Sequence, residues 1–269
     1  MTPSSEPRAG SSVAIPVAPR GTHPAFEIIT RLRDGDRFSS TTALAILGAP
    51  LPRLVREVVH VTAGRGLERL RRFGVWGHDE DGQPLAWWGG APVSTPERAF
   101  IEAARYLRVP DLVALGDWLT LIPRFAEAGR PFTSVERIAG RTRPGMRHIR
   151  RVREALASVR PGVESPQETA LRLLLLEHGL PEPICGYHLV DRRGDSIGWF
   201  DLAWPDRRVL GEYDGDQHRT SDAQYDRDIL RFDRASDAGW RVLRVRKRGL
   251  GMDADETVMR FRRALLPAA

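Results

Sequence analysis

Cysteine is almost missing from this chain: Cys185 stands alone, which excludes an internal disulfide and any zinc site built on paired cysteines. A lone cysteine of this kind is expected to be a small buried side chain. Lysine is as scarce, because Lys247 is the only one among 41 basic residues. So one-sided a choice of arginine reflects GC-rich coding rather than selection for phosphate contacts. Long apolar runs are absent too. The longest, around Leu171 to Leu176, is broken by Arg172 and ends at Glu177, far short of the roughly 20 residues that cross a bilayer. No membrane partner is expected. The Pro-, Ser- and Gly-rich start lacks the apolar core of a signal peptide, so a cytoplasmic location is expected.

What is present fits one large domain or two modest ones, since 269 residues can bury a sizeable core. The net charge of +6 is unevenly placed. Residues 1–162 hold 24 Arg against 16 acids, a balance of +8, while residues 163–269 hold 17 basic and 19 acidic residues, a balance of −2. That asymmetry fits a basic binding module followed by a metal site. Residues 1–22 cannot bury enough apolar surface to offset ordering and read as a disordered tail.

Residues 23–160 read as a smaller α+β module. Ser39-Ser40-Thr41 supplies a helix N-cap ahead of TALAIL, and VVHVT, GVWGH and the Trp87-Trp88 pair read as strands. Two helices follow, near 97–107 and 111–121. The segment RTRPGMRHIRRVR carries six arginines in thirteen residues. Met146, Ile149, Val152, Leu156 and Val159 form an apolar helical stripe, with arginines on the other face. A solvated face is the plain account. Phosphate contact by Arg147, Arg150 and Arg151 is the functional one.

Pro161-Gly162 marks a boundary, and the order α-β-β-β-α-β-α follows. A helix from Ser165-Pro166 to about Glu177 precedes strands near 184–190, 197–204 and 207–214; a polar helix near 221–237, the strand WRVLRV and a last helix near 253–265 complete the set. Asp201 sits in WFDLAW and Glu212 in VLGEYDG. A carboxylate in an apolar strand is expensive to bury unless it is paired or binds a cation. On adjacent antiparallel strands the two can be cross-strand neighbours, and Asp214 shares a face with Glu212. Hard oxygen ligands converging in this way suit Mg²⁺ or Mn²⁺ and phosphodiester hydrolysis. His218, four residues past Asp214, is a candidate acid or base. Asp228 and Arg231, one helical turn apart, are expected to pair locally, with phosphate contact by Arg231 as the alternative. Trp199, Trp204 and Trp240 are expected as core anchors.

The motifs SPQETALRLLL, DLAW, EYDGDQHR, the helix with Asp228 and Arg231, and GWRVLRV together resemble the Vsr-like endonuclease domains of actinobacterial proteins, within the PD-(D/E)XK superfamily. The resemblance covers about a third of the chain. It implies a restriction-endonuclease-like αβββαβ core with a mixed sheet over 163–269 and cleavage of DNA with Mg²⁺ or Mn²⁺. It also implies Asp201 and Glu212 as metal ligands, Glu168 as a supporting acid, and Asp214 and His218 as polar active-site residues. One departure is plain: the superfamily places a lysine where this chain has Asp214. Lys247, just past the last strand, is either a migrated replacement or an exposed surface lysine. The phrases FSSTTALAILGAPLP, VHVTAGRG, RRFGVWGH and APVSTPERAFIEAAR resemble, more weakly, abortive-infection-type antitoxins. They imply a role in phage defence or toxin–antitoxin control; a homodimer or a toxin–antitoxin partner is the expected assembly. A non-catalytic DNA-binding regulator on a nuclease scaffold is the alternative to the enzyme.

Overall fold

The computed structural model describes residues 23–124, 127, 129–215 and 222–266. It is an α+β structure with two mixed sheets. The first is built from α1 (Ala25–Ile28), β1 (Arg37–Phe38), α2 (Ser40–Ile46), α3 (Arg53–Arg56), β2 (Val59–Thr62), β3 (Val75–His78), β4 (Leu85–Trp88), β5 (Ala91–Ser94), α4 (Pro96–Ala103), α5 (Val109–Thr120), α6 (Val135–Gly140) and α7 (Ile149–Ser158). Its strands run in the order β3-β2-β1-β5-β4. One hydrophobic core, from Ala25 to Val159, serves all of it. This N-terminal part carries five strands against four in the C-terminal sheet, so it is not the smaller of the two, as the sequence suggested.

Thr95 caps α4, its hydroxyl accepting from the Arg98 N–H with Pro96 in the first turn. Ser39 does not. It stands at the N-cap of α2 without a capping hydrogen bond from its side chain. The stripe that begins at Met146 is also interrupted, because His148 adopts φ 61° and α7 opens only at Ile149.

Parallel pairing of β2 with β3 sets His60 beside Trp76 and Thr62 beside His78. The buried His60 brings Nδ1 to 2.9 Å from Nε2 of His78. Two ring nitrogens at that distance share one hydrogen, so the accepting ring is neutral. Burial, then His78 and Arg105, pushes His60 down to about 3. The unfolded ring therefore takes up a proton before the folded one does, and stability falls as pH drops from about 6.5 towards 3. Thermal melts should show a loss of roughly 2–4 kcal/mol across that window. His60→Gln should lack that loss, and a variant whose melting follows pH as the wild type's does across that window would remove the contribution of His60.

The second sheet follows from α8 (Pro166–Glu177), β6 (Ile184–Val190), β7 (Ser196–Trp204), β8 (Val209–Tyr213), α9 (Asp222–Asp237), β9 (Arg241–Val245) and α10 (Ala254–Leu265). The order is β6-β7-β8-β9, antiparallel except for the parallel β8–β9 pair. A parallel pair needs a crossover, and α9 supplies it. Leu171, Leu175 and Phe261 of α8 and α10 cluster with Leu202 and Trp204. Phe232 and Ala235 of α9 cluster instead with Phe200, Ala203 and Leu210. Helices therefore cover both faces of this sheet. Among the described residues no helix is long and apolar enough to cross a membrane.

Candidate functional site: a carboxylate cleft

The β7–β8 register pairs Leu202 with Gly211 and Ala203 with Leu210, and one further step sets Asp201 opposite Glu212. The Tyr213 N–H donates to Asp201 Oδ2 at 2.8 Å. From the first turn of α8 comes Glu168. Its N–H is capped by Ser165 Oγ at 3.2 Å, and its own Oε2 accepts from the Glu164 N–H at 2.9 Å. The three carboxylates line one cleft of about 1390 Å³.

Their electrostatics identify them as neighbours. Burial, then the charge of Asp201, pushes Glu168 up to about 8. Burial, then the charge of Glu212, does the same to Asp201, also to about 8. Glu212, 7 % exposed, is raised as well: burial outweighs its ion pair with Arg231 Nη1 at 2.8 Å. Three acids this close cannot all ionise cheaply in one place.

Arg231 supplies the positive charge in this conformation. It rises from α9 between Phe200 and Phe232, at 4.8 and 4.7 Å from the ring centroids, and donates to the Trp199 carbonyl and to Glu212. Gly198 makes the passage possible: a Cβ there would lie 2.6 Å from Arg231 Cδ. The expected Asp228–Arg231 pair is present at 3.5 Å, but the bond to Glu212 is shorter and ties α9 to β8.

Asp214 lines the cleft, yet its Oδ2 is held by Arg244 at 2.8 Å and Arg246 at 3.2 Å, which leaves it less free to assist chemistry than the sequence suggested. Lys247 is exposed and also lines the cleft, because the parallel β8–β9 pairing brings the end of β9 beside that of β8. His218 lies outside the described residues. Arg147 lines a different cavity, Arg150 is exposed, and Arg151 points inward, its Nη1 donating to the Ala104 carbonyl at 2.7 Å and to the Leu107 carbonyl at 3.2 Å. That last guanidinium is committed to the fold. Trp204 is a core residue as expected, but Trp199 lines the cleft, stacked on His188 at 4.7 Å.

Sequence reasoning missed Arg124. It comes from the stretch after α5, pairs with Glu164 at 2.6 Å and lies 5.6 Å from the Trp199 ring centroid. Its charge lowers both Asp201 and Glu212 against the larger effect of burial. The contact is tertiary, and no local pattern announces it.

The donor set suits a hard divalent cation, being three carboxylates with raised proton affinity. Among the described residues, no three acids or imidazoles stand at metal-ligand spacing in this conformation; the Glu212 oxygens face Arg231 instead.

A stability consequence follows. An acid whose folded pKa lies above its unfolded value contributes fully below the unfolded value, and that contribution drains away as pH rises through the folded one. For Asp201 the window runs from its ordinary 3.8 to about 8. Its side chain keeps some solvent contact at the cleft wall, which discounts the cost to about 2 kcal/mol. Asp201→Asn should therefore melt roughly 4–8 °C above wild type at pH 8 in EDTA, with the gap closing near pH 4. Equal melting temperatures across that range would mean that the carboxylates do not strain the fold.

Comparison with known proteins adds relatives but no activity. Two proteins of Mycobacterium tuberculosis, uncharacterized protein MT2308 (strain CDC 1551 / Oshkosh) and uncharacterized protein Rv2248 (strain ATCC 25618 / H37Rv), are each 28 % identical over 223 residues. The alignment covers 81 % of this chain and 80 % of theirs. No family model matches the chain. No solved structure matches it either.

Proposed function

We propose that residues 163–269 form a divalent-cation-dependent endonuclease domain of restriction-endonuclease-like architecture, acting on DNA phosphodiester bonds. The observation that carries this reading is the Glu168–Asp201–Glu212 cluster, raised in pKa by burial and mutual repulsion, in a cleft that also holds arginines. Asp201 and Glu212 would hold Mg²⁺ or Mn²⁺, with Glu168 beside them. When bound, the cation would neutralise charge on the scissile phosphate and acidify a water.

The chain's own residues have separable roles in this proposal. Glu212, now paired with Arg231, would be one of the residues that hold the cation. Arg231, held between Phe200 and Phe232, would contact the phosphate. Arg124, at the cleft, contacts the substrate backbone. Exposed arginines of the 141–153 segment outside the cavity that Arg147 lines, Arg150 and Arg153, add sequence-independent affinity. The second reading, a DNA-binding regulator without catalysis, draws on Asp214: it occupies the lysine position of the resembled family and is clamped by Arg244 and Arg246.

The test is incubation of the purified full chain with supercoiled plasmid, single-stranded DNA and RNA, each with Mg²⁺, Mn²⁺ or EDTA. Cation-dependent nicking or linearisation of the plasmid is the expected result, with Lys247→Ala close to wild type. Tight DNA binding without cleavage under any of these conditions would favour the regulator.

A further inference from the structure

The N-terminal half holds a second cavity, of about 400 Å³, that the carboxylate cleft does not use. Ser39, Ser40, His78, Arg105, Tyr106 and Arg147 line it, together with acidic residues treated below. Ser39 and Ser40 are almost fully buried, at 1 % and 2 % exposure, yet among the described residues neither hydroxyl has a hydrogen-bond partner. The Tyr106 hydroxyl is likewise buried and unpartnered. Buried polar groups are partnered in roughly nine cases out of ten or more, so three orphans around one cavity point to an occupant that supplies the missing partners.

Backbone strain coincides with the same place. Among the described residues, Ser40, His148 and Arg208 are the non-glycine residues with positive φ, at 51°, 61° and 49°. The first two line this cavity. Each such residue costs on the order of 1 kcal/mol or more, and strain of this kind clusters at ligand sites.

Charge gives the sign of the occupant. Of the lining acids, Asp81 is tied to Arg37 and Arg98, and Glu102 to Arg98 and the Ser40 N–H. Asp79 alone of them has no arginine partner among the described residues. Two lining guanidiniums remain without an ion pair there, Arg105 and Arg147. Arg105 lies 5.5 Å from the Tyr106 ring centroid, and Arg147 comes from the arginine-dense segment just ahead of α7. An exposed guanidinium pair beside orphan hydroxyls and an aromatic ring suits an anion with a flat, hydrogen-bonding body. The volume is at the lower end of the roughly 300–1,000 Å³ of small-molecule sites, too small for a duplex.

We propose that this cavity binds a small phosphate ester of about mononucleotide size. Arg105 and Arg147 hold its phosphate, Tyr106 packs against its body, and Ser39 and Ser40 donate to its polar edge. The phosphate is that of a free mononucleotide or of a nucleic-acid 5′ end. This site stands apart from the endonuclease reading and does not depend on it.

Calorimetric titration of the full chain in EDTA tests the idea. The probes are inorganic phosphate, the four ribonucleoside 5′-monophosphates, adenosine, and a short single strand with and without a 5′-phosphate. At least one monophosphate is expected to bind saturably, and adenosine roughly tenfold or more weakly. Arg105→Gln/Arg147→Gln should lose a similar factor while keeping the wild-type melting temperature. Ser39→Ala should weaken binding without destabilising the fold, as only a ligand-facing hydroxyl would. Asp201→Asn should bind like wild type. Tighter binding of the 5′-phosphorylated strand than of any mononucleotide assigns the phosphate to a nucleic-acid end and leaves the site standing. No saturable binding of any phosphate at millimolar concentration, equal binding with and without the phosphate, or an undiminished double variant would each overturn the proposal.

Discussion

Asp201→Asn and Glu212→Gln should each lower cation-dependent plasmid cleavage by roughly 10³-fold or more, since each removes several kcal/mol of charge stabilisation at the scissile phosphate. The two substitutions differ in what else they disturb. Asp201 accepts one backbone hydrogen bond, from Tyr213, which an asparagine carbonyl can keep. Glu212 is the partner of Arg231, so its glutamine variant also loosens α9 from β8. Matched activity loss with unequal stability change is therefore the expected signature, read from initial rates beside thermal melts. An Asp201→Asn protein that cleaves at the wild-type rate removes the metal-ligand role.

The second large effect concerns the joint between the two halves. Arg172 of α8 is fully buried, and its Nη2 lies 2.9 Å from Oδ2 of the equally buried Asp117 on α5. Asp117 also accepts from Thr169 Oγ1 at 2.8 Å and from the Arg160 N–H at 2.7 Å. Among the described residues two of the Arg172 nitrogens, Nε and Nη1, have no hydrogen-bond partner, and Glu182 comes no nearer than 3.9 Å to Nη1, so Asp117 is the carboxylate that hydrogen-bonds the guanidinium. Asp117→Ala leaves that buried charge without its hydrogen-bonded partner, at a cost of roughly 3–5 kcal/mol. The melting temperature should fall by roughly 6–20 °C. Asp117→Leu/Arg172→Met should recover most of the loss, because a buried pair is often replaceable by apolar side chains. Arg172 stands one helical turn from Glu168 on α8, so Asp117→Ala should also depress cleavage below the melting transition. A single variant as stable as wild type would contradict the pair.

The C-terminal elements were legible for identifiable reasons. Ser165-Pro166, Gly179, Pro205 and Gly239 punctuate them, and the strand near 184–190 coincides with Ile184–Val190. Asp201 and Glu212 stood out as charges inside apolar strands, and the register sets them face to face. The N-terminal half was harder. β1 has two residues, too few for any periodicity to register. β5 contains Pro92, which argues against a strand although its neighbours pair with β4. α6 was not anticipated at all: it has six residues, of which Ile138 alone is buried. The clamp on Asp214 depends on which β9 side chains lie beside β8, and Arg124 reaches the cleft from the other half of the chain. Both are products of tertiary packing between distant segments.

The most direct test of the carboxylate cluster is equilibrium binding of Mn²⁺ to the full chain, following the free ion by electron paramagnetic resonance. The account predicts saturable binding by the wild type and its loss in both Asp201→Asn and Glu212→Gln, whose folds remain intact by circular dichroism. A wild type that binds no Mn²⁺ at millimolar concentration, or variants that bind it as the wild type does, would contradict the account.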